Sequence, residues 1–191
     1  MRLGVFGGEF DPPHLGHLAV ARVARDQLEL DRLLVVPAGT PPHRTASGTP
    51  AEVRYRMAEL AFEGEPRIEV SRMEIDRDGP SYTVDTLRSL AGHGGLVLVV
   101  GADQADDLLE GRWHESDEIR RIAQLAVAPR DPPGRHHTSY GTGVTELDMA
   151  PVDLSSTGVR TAVAAGSGDG DVDPAVLELI RREGLYAETP C

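Results

Sequence analysis

The 191-residue chain has one cysteine, no lysine and no asparagine. The cysteine is Cys191, the last residue, so neither a disulfide framework nor a cysteine-built metal site is available, and a reducing cytoplasm fits. Long apolar runs are missing too. A membrane helix needs about 18 residues, and the longest run, 95–101, is strand-sized. Met1 leads directly into a strand pattern, so no signal peptide is expected. Positive charge is scarce: 19 basic residues face 31 acidic ones, a net charge of −12. That balance argues against a broad nucleic-acid surface. A small anionic ligand is still allowed, provided that cations gather locally around it. Every basic residue is arginine. Codon bias of a GC-rich genome explains this, with a salt-adapted proteome as the alternative.

At 40% hydrophobic residues the chain can bury a core, and its length suits one domain. Apolar runs of strand length recur at 2–6, 32–37, 67–71, 96–100, 124–128 and 144–149. Helical spacing lies between them. Leu15, Ala19 and Val23 fall at i, i+4 and i+8, with Arg22 and Arg25 on other faces. Helices are also expected over 51–63, 83–91, 105–109 and 116–122. This alternation predicts an α/β fold, an open parallel sheet covered on both faces, with 96–100 as a central strand. From about 153 the chain turns helical, over 156–165 and 173–182 with a Gly/Asp-rich loop between. Asp173 is the expected N-cap of the last helix, Pro174 its first residue and Gly184 its stop. Residues 130–143 lack periodicity and read as a surface loop, its His136 and His137 solvated. No linker divides the chain, so 1–191 reads as a single domain with a helical C-terminal part.

The densest signal is GVFGGEFDPPHLGHLAVARVA, residues 4–24. A strand ends in Gly7 and Gly8, a Phe-Asp-Pro-Pro turn follows, and His14 and His17 stand at the head of a helix. In an open α/β sheet, ligands bind beyond the carboxyl ends of the strands. Glycines without Cβ let backbone N–H groups approach an anion. Asp11 can stabilise the turn or cap the helix. Histidines three apart project toward one point, which also receives the positive end of the helix dipole. Imidazoles, free amides and a helix terminus together suit phosphate oxygens.

GGEFDPPHLGH resembles the signature of the His-x-Gly-His nucleotidylyltransferases, GG-S/T-FDP-x-H-x-GH. SSTGVR at 155–160 resembles their second signature. PPHR (41–44), SYTVDTL (81–87), GADQADDLLEGRWHE (101–115) and GLY (184–186) come between and after, and the whole series is similar to the bacterial nicotinate-nucleotide adenylyltransferases.

The resemblance implies a Rossmann-like fold and transfer of the adenylyl group of ATP to nicotinate mononucleotide in NAD biosynthesis. Another adenylyltransferase of the superfamily, acting on nicotinamide mononucleotide or pantetheine phosphate, is the alternative enzyme. A nucleotide-binding module without catalysis is the alternative of another class. The catalytic residues implied are His14, His17, Arg160 and Arg44. Arg44 takes the usual lysine position of PPHK, or is a solvated loop charge. On the ATP side stand Gly7, Gly8, Glu9, Phe10, Gly16, Gly101, Asp103, Ser156 and Thr157, with hydroxyls of the last two offered to the phosphates. On the mononucleotide side stand Thr83, Asp103, Trp113, His114 and Arg130. Trp113 stacks on the pyridine ring or packs in the core. Asp103 accepts from ribose hydroxyls, caps a helix, or does both. Arg54 is a weaker candidate, equally a structural residue. Mg²⁺ is expected on the ATP phosphates, with no dedicated carboxylate cage. No nucleic acid or membrane partner is expected, and a homo-oligomer is left open. Glu9 departs from the family's Thr or Ser: a carboxylate beside phosphates must turn away, pair with an arginine or meet the metal.

Overall fold

The computed structural model describes residues 1–41, 48–129, 140 and 142–187. Arg44, Arg130, His136 and His137 lie outside the described residues. Six parallel strands, β1 (Arg2–Gly8), β2 (Arg32–Pro37), β3 (Ile68–Val70), β4 (Gly95–Gly101), β5 (Ala123–Ala128) and β6 (Val144–Glu146), form one sheet in the order β3-β2-β1-β4-β5-β6. Among the described residues seven helices are interleaved: α1 (Leu15–Gln27), α2 (Ala51–Ala61), α3 (Thr83–Ser89), α4 (Ala102–Leu109), α5 (Ser116–Ile122), α6 (Ser156–Ala164) and α7 (Pro174–Glu183). This is the expected Rossmann-like α/β architecture.

Alternate residues of the inner strands feed two cores. Leu3, Val5, Leu34, Val36, Leu96 and Leu98 face α3, α4 and α5, while Phe6, Leu33, Val35, Val97 and Val99 face α1. Both faces of the inner strands are thus apolar, which is why they read as continuous runs. The edge strands β3 and β6 are shorter than their apolar patterns, because each pairs on one side only. Helix α4 starts three residues earlier than its pattern, directly from the end of β4.

The buried stripe of α1 is displaced by one residue from the expected one. Val20 and Ala24 face the sheet with Ala21, and Gly16 is buried against Val152, whereas Leu15 is exposed. Small residues let the helix approach closely, so volume decided the face more than hydrophobicity. Arg25 is also buried, paired with Asp26 and Glu65, where a solvent-facing position was expected.

In the C-terminal part, α6 and α7 pack on α2 through Met57, Val159, Val176 and Ile180. The expected caps of α7 hold. Asp173 accepts from Ala175 N–H at 2.8 Å, Pro174 begins the helix, and Gly184 ends it with φ 64°.

Candidate functional site

The sheet reverses its direction of growth between β1 and β4, and a cleft of about 340 Å³ opens beyond their carboxyl ends. It is lined by Gly7, Gly8, Glu9 and Phe10 from β1 and its turn, His14, Gly16 and His17 from α1, and Gly101 and Asp103 from β4 and α4. Ser156, Thr157 and Arg160 of α6 close the opposite wall. Residues as far apart in the chain as Gly7 and Arg160 are thereby brought together.

His14 is the N-cap of α1, with extended backbone (φ −133°, ψ 169°), and His17 stands three residues inside. Asp11 is not the cap. The two imidazoles stack with centroids 3.8 Å apart and planes at 28°. His17 Nδ1 accepts from the His14 N–H at 3.1 Å. A nitrogen that accepts carries no proton, so the neutral His17 ring holds its hydrogen on Nε2. Charging the ring would break this cap. Phe10, 2% exposed, wedges its ring against His17 (5.0 Å between centroids) and edge-on against Phe6 and Phe62. A Cβ on Gly16 would lie less than 3 Å from Val152 Cγ1 and 2.9 Å from His14 Nδ1. One on Gly7 would meet no protein atom within 4 Å.

Asp11 is 1% exposed and serves the turn through distant partners. The Tyr186 hydroxyl donates to Oδ1, and Arg160 Nη1 stands 3.9 Å from Oδ2 and donates to the Asp11 carbonyl at 2.7 Å. Burial and the neighbouring Asp11 carboxylate push the Tyr186 phenol far above its ordinary range, so it stays a donor. Arg160 Nη2 also donates to Thr157 Oγ1 at 3.1 Å. The Ser156 hydroxyl donates to the Pro12 carbonyl at 2.9 Å. Its hydrogen is thus engaged within the protein, while Ser156 still lines the cleft. Ser155 caps α6, accepting from Gly158 N–H at 3.1 Å.

Arg54 is a structural clamp. It is 3% exposed and donates to three carbonyls: Glu9 (2.8 Å), Gly39 (3.1 Å) and Thr49 (3.3 Å). Burial pulls its guanidinium below the ordinary value, and the charges of Glu9 and Asp11 pull it back up. Asp103 lies exposed in the first turn of α4, whose N-cap is Gly101, so the capping alternative is corrected. Asp107, one turn on, joins it in the cleft wall, a partner readable from the i, i+4 spacing.

Thr83, Trp113 and His114 lie away from this cleft, and they come together elsewhere. Thr83 begins α3, its N-cap Tyr82 packs a ring on His114 at 4.3 Å, and half-buried Trp113 rests against the core beside them. Tyr186, Ser155 and Val152 are site residues that sequence reasoning missed; only the Ser of SSTGVR carried a usable capping signal.

The chain matches the cytidylyltransferase-like family model over residues 5–162. It is 42% identical over 190 residues to a Thermus thermophilus protein named "Probable nicotinate-nucleotide adenylyltransferase", covering 97% of this chain and all of that one. A Gemmatimonas aurantiaca protein of the same name is 41% identical over 201 residues, covering all of this chain and 94% of its own length. Among solved structures, the Plasmodium falciparum nicotinic acid mononucleotide adenylyltransferase complexed with NaAD superposes with a TM-score of 0.80 over 97% of each chain. At 14% identity that likeness speaks for the fold alone.

Proposed function

Since this chain belongs to the cytidylyltransferase-like family, we propose that it transfers the adenylyl group of ATP to nicotinate mononucleotide, yielding nicotinate adenine dinucleotide and pyrophosphate for NAD biosynthesis. The observation that carries the reading is the stacked His14–His17 pair on the α1 terminus, facing Arg160 of α6 across one cleft. The full-length relatives named for this activity support it.

A phosphate monoester has its second pKa near ~6, so the attacking 5′-phosphate is ionised at neutral pH. No general base and no covalent intermediate are required. A phosphate oxygen bonds to the α-phosphorus while the bond from that phosphorus to the α–β bridging oxygen breaks, and pyrophosphate leaves with the electron pair. The protein must align two polyanions and stabilise the charge on the leaving oxygen. His17 Nε2–H and His14 donate from the helix terminus, and Arg160 forks onto phosphate oxygens. Amides at Gly8 and Glu9 approach from the turn, and the open space at Gly7 is room for the ligand. Arg44 and Arg130 supply further cations to the reacting phosphates. Asp103 accepts from ribose hydroxyls. Thr83, His114 and Trp113 receive the nicotinate end, the amides taking its carboxylate and the indole its ring.

ATP enters as its Mg²⁺ complex, the ion held mainly by phosphates. Among the described residues no three His, Cys, Asp or Glu side chains group to hold a metal. The whole chain acts as one domain, its helical C-terminal part closing the site, in the cytoplasm; no helix of the described residues is long and apolar enough to cross a membrane. The deciding experiment supplies ATP with nicotinate mononucleotide, nicotinamide mononucleotide or phosphopantetheine and follows pyrophosphate release. The nicotinate substrate should win by at least tenfold in kcat/KM. Preference for another substrate moves the chain to another branch, and no release with any marks an inactive module.

A further inference from the structure

The connection from α4 to α5, residues 110–115, carries Trp113 and His114 and is tied down on both sides of them. On the α4 side, Arg112 Nε donates to Asp107 Oδ1 at 2.8 Å, and the Arg112 N–H donates to the Asp107 carbonyl at 2.9 Å. On the α5 side stands Glu115. Its backbone is left-handed (φ 53°, ψ 46°), a conformation that residues with a Cβ rarely adopt. It is the N-cap of α5, yet its side chain caps nothing. A capping side chain turns back to the first N–H groups of its own helix. The Glu115 carboxylate instead crosses to α3, where Arg88 holds both oxygens: Nη1 donates to Oε1 at 3.1 Å and Nη2 to Oε2 at 2.5 Å. Between the two ties, the Trp113 carbonyl accepts from the Ser116 hydroxyl at 2.9 Å, and the His114 ring lies on Tyr82, the N-cap of α3.

A lone exposed ion pair contributes little, because water screens it and two long side chains lose freedom. Arg88 differs in two ways. Its fork meets both oxygens of one carboxylate, which fixes orientation as well as distance. It also stands among three acids: Glu115, Asp85 at 3.6 Å and Glu118 at 3.9 Å. Without the guanidinium, the carboxylates of α3 and of the start of α5 would face one another and repel. The connection would then be pushed away from α3.

We propose that Arg88 is a positioning residue for the mononucleotide. By clamping Glu115 it holds Trp113 and His114 against the start of α3, so that the indole and Thr83 present one surface to the nicotinate end. This rests on the assignment of Thr83, Trp113 and His114 to that substrate. Arg88 and Glu115 are not among the residues that line the cleft, so ATP should feel the clamp little.

Two readouts test the proposal. Trp113 is the sole tryptophan of the chain and rests half-buried on the core, so its fluorescence reports on this connection without substrate. In Arg88→Ala the acrylamide quenching constant should rise at least twofold, with circular dichroism unchanged. Steady-state kinetics should show KM for nicotinate mononucleotide raised threefold to tenfold and KM for ATP within twofold. Glu115→Ala should shift both readouts the same way. The double variant should be no worse than Arg88→Ala, because the two residues act through one contact. The quenching readout decides the clamp even if the wild type makes no dinucleotide, a result that would refute the functional reading separately. Unchanged quenching would overturn the proposal. So would a rise in mononucleotide KM below threefold, an equal rise for ATP, or single effects that multiply in the double variant.

Discussion

One imidazole, His17, both caps a helix and faces the phosphates. Its Nδ1 holds the His14 N–H, which leaves the proton of the neutral ring on Nε2. His17→Ala should lower kcat by about 10²–10³-fold, the scale for one lost oxyanion donor. It should also cost about 0.5–2 kcal/mol of stability through the lost cap. Kinetics paired with thermal unfolding would check both, and a kcat loss under threefold would make the histidine structural. Glu9 is the other residue in tension with the phosphates. Its carbonyl is held by Arg54, and the charge of its carboxylate acts on that same guanidinium. Glu9→Thr should leave kcat within a few-fold and ATP affinity equal or better, while melting somewhat lower because buried Arg54 loses a counter-charge. ATP titration at saturating Mg²⁺ decides; tenfold weaker binding would mean that the carboxylate works in the site. Burial raises the Glu74 carboxyl above its ordinary value, against the hydrogen bond from Thr86 and the charge of Arg77. A raised acid binds more protons folded than unfolded, so its contribution falls as pH climbs from the unfolded pKa, about 4.5, to the higher folded one. The melting-temperature advantage of wild type over Glu74→Gln should therefore shrink as pH rises through that window, in a series of thermal melts.

Among the elements, α1 shows how packing sets chemistry. Its first turn meets Val152 through Gly16, and the Leu15 N–H donates to the Asp171 carbonyl at 2.9 Å. The histidine-bearing terminus is thus seated against the C-terminal part of the chain. A methyl group at Gly16 must displace either Val152 or the His14 ring. Gly16→Ala should destabilise by about 1–3 kcal/mol, the usual range for overpacking, and lower kcat more than tenfold because His14 moves. Denaturant unfolding and kinetics on the same preparation would test this. Unchanged stability with unchanged kcat would show that Val152 yields freely. On the facing wall, Ser155 caps α6, and Ser156 ties the helix to Pro12. Both walls are therefore anchored to the same 11–14 turn.

Across the molecule, the last described residues reach back to the first motif. The Tyr186 hydroxyl meets Asp11 across 175 positions of sequence, with Arg160 on the other oxygen. The terminal GLY segment thereby becomes part of the site's foundation without lining the cleft. Tyr186→Phe should cost about 1–3 kcal/mol, because a buried carboxylate oxygen loses its donor. The kcat should fall by less than tenfold, since no group that faces the cleft is removed. Chemical denaturation gives the first number and initial rates the second. A large kcat loss at full stability would mean that Tyr186 acts on the substrates themselves.

The strand–glycine–turn–histidine unit was legible because its chemistry is local. A strand end, two glycines and a helix start lie within about a dozen neighbouring residues, and the i, i+3 spacing alone aims both imidazoles at one point. The solid apolar run of β4 likewise marked a strand buried on both faces. Other features rest on contacts between distant residues, which leave no periodic trace. Sequence did not reveal that β4, not β2 alone, borders β1, which sets Gly101 and Asp103 opposite the histidines. Nor did it tell Arg54 the clamp from Arg54 the ligand, turn the Ser156 hydroxyl toward Pro12, or join Tyr186 to Asp11. An arginine, a serine or a tyrosine reads the same in the chain whether its donors meet a carbonyl or a phosphate. The sequence by itself determined which groups could serve an anion, because residue type sets charge and hydrogen-bonding capacity. The tertiary structure alone decided which of them the protein had already engaged, because a buried donor must find its partner within the fold.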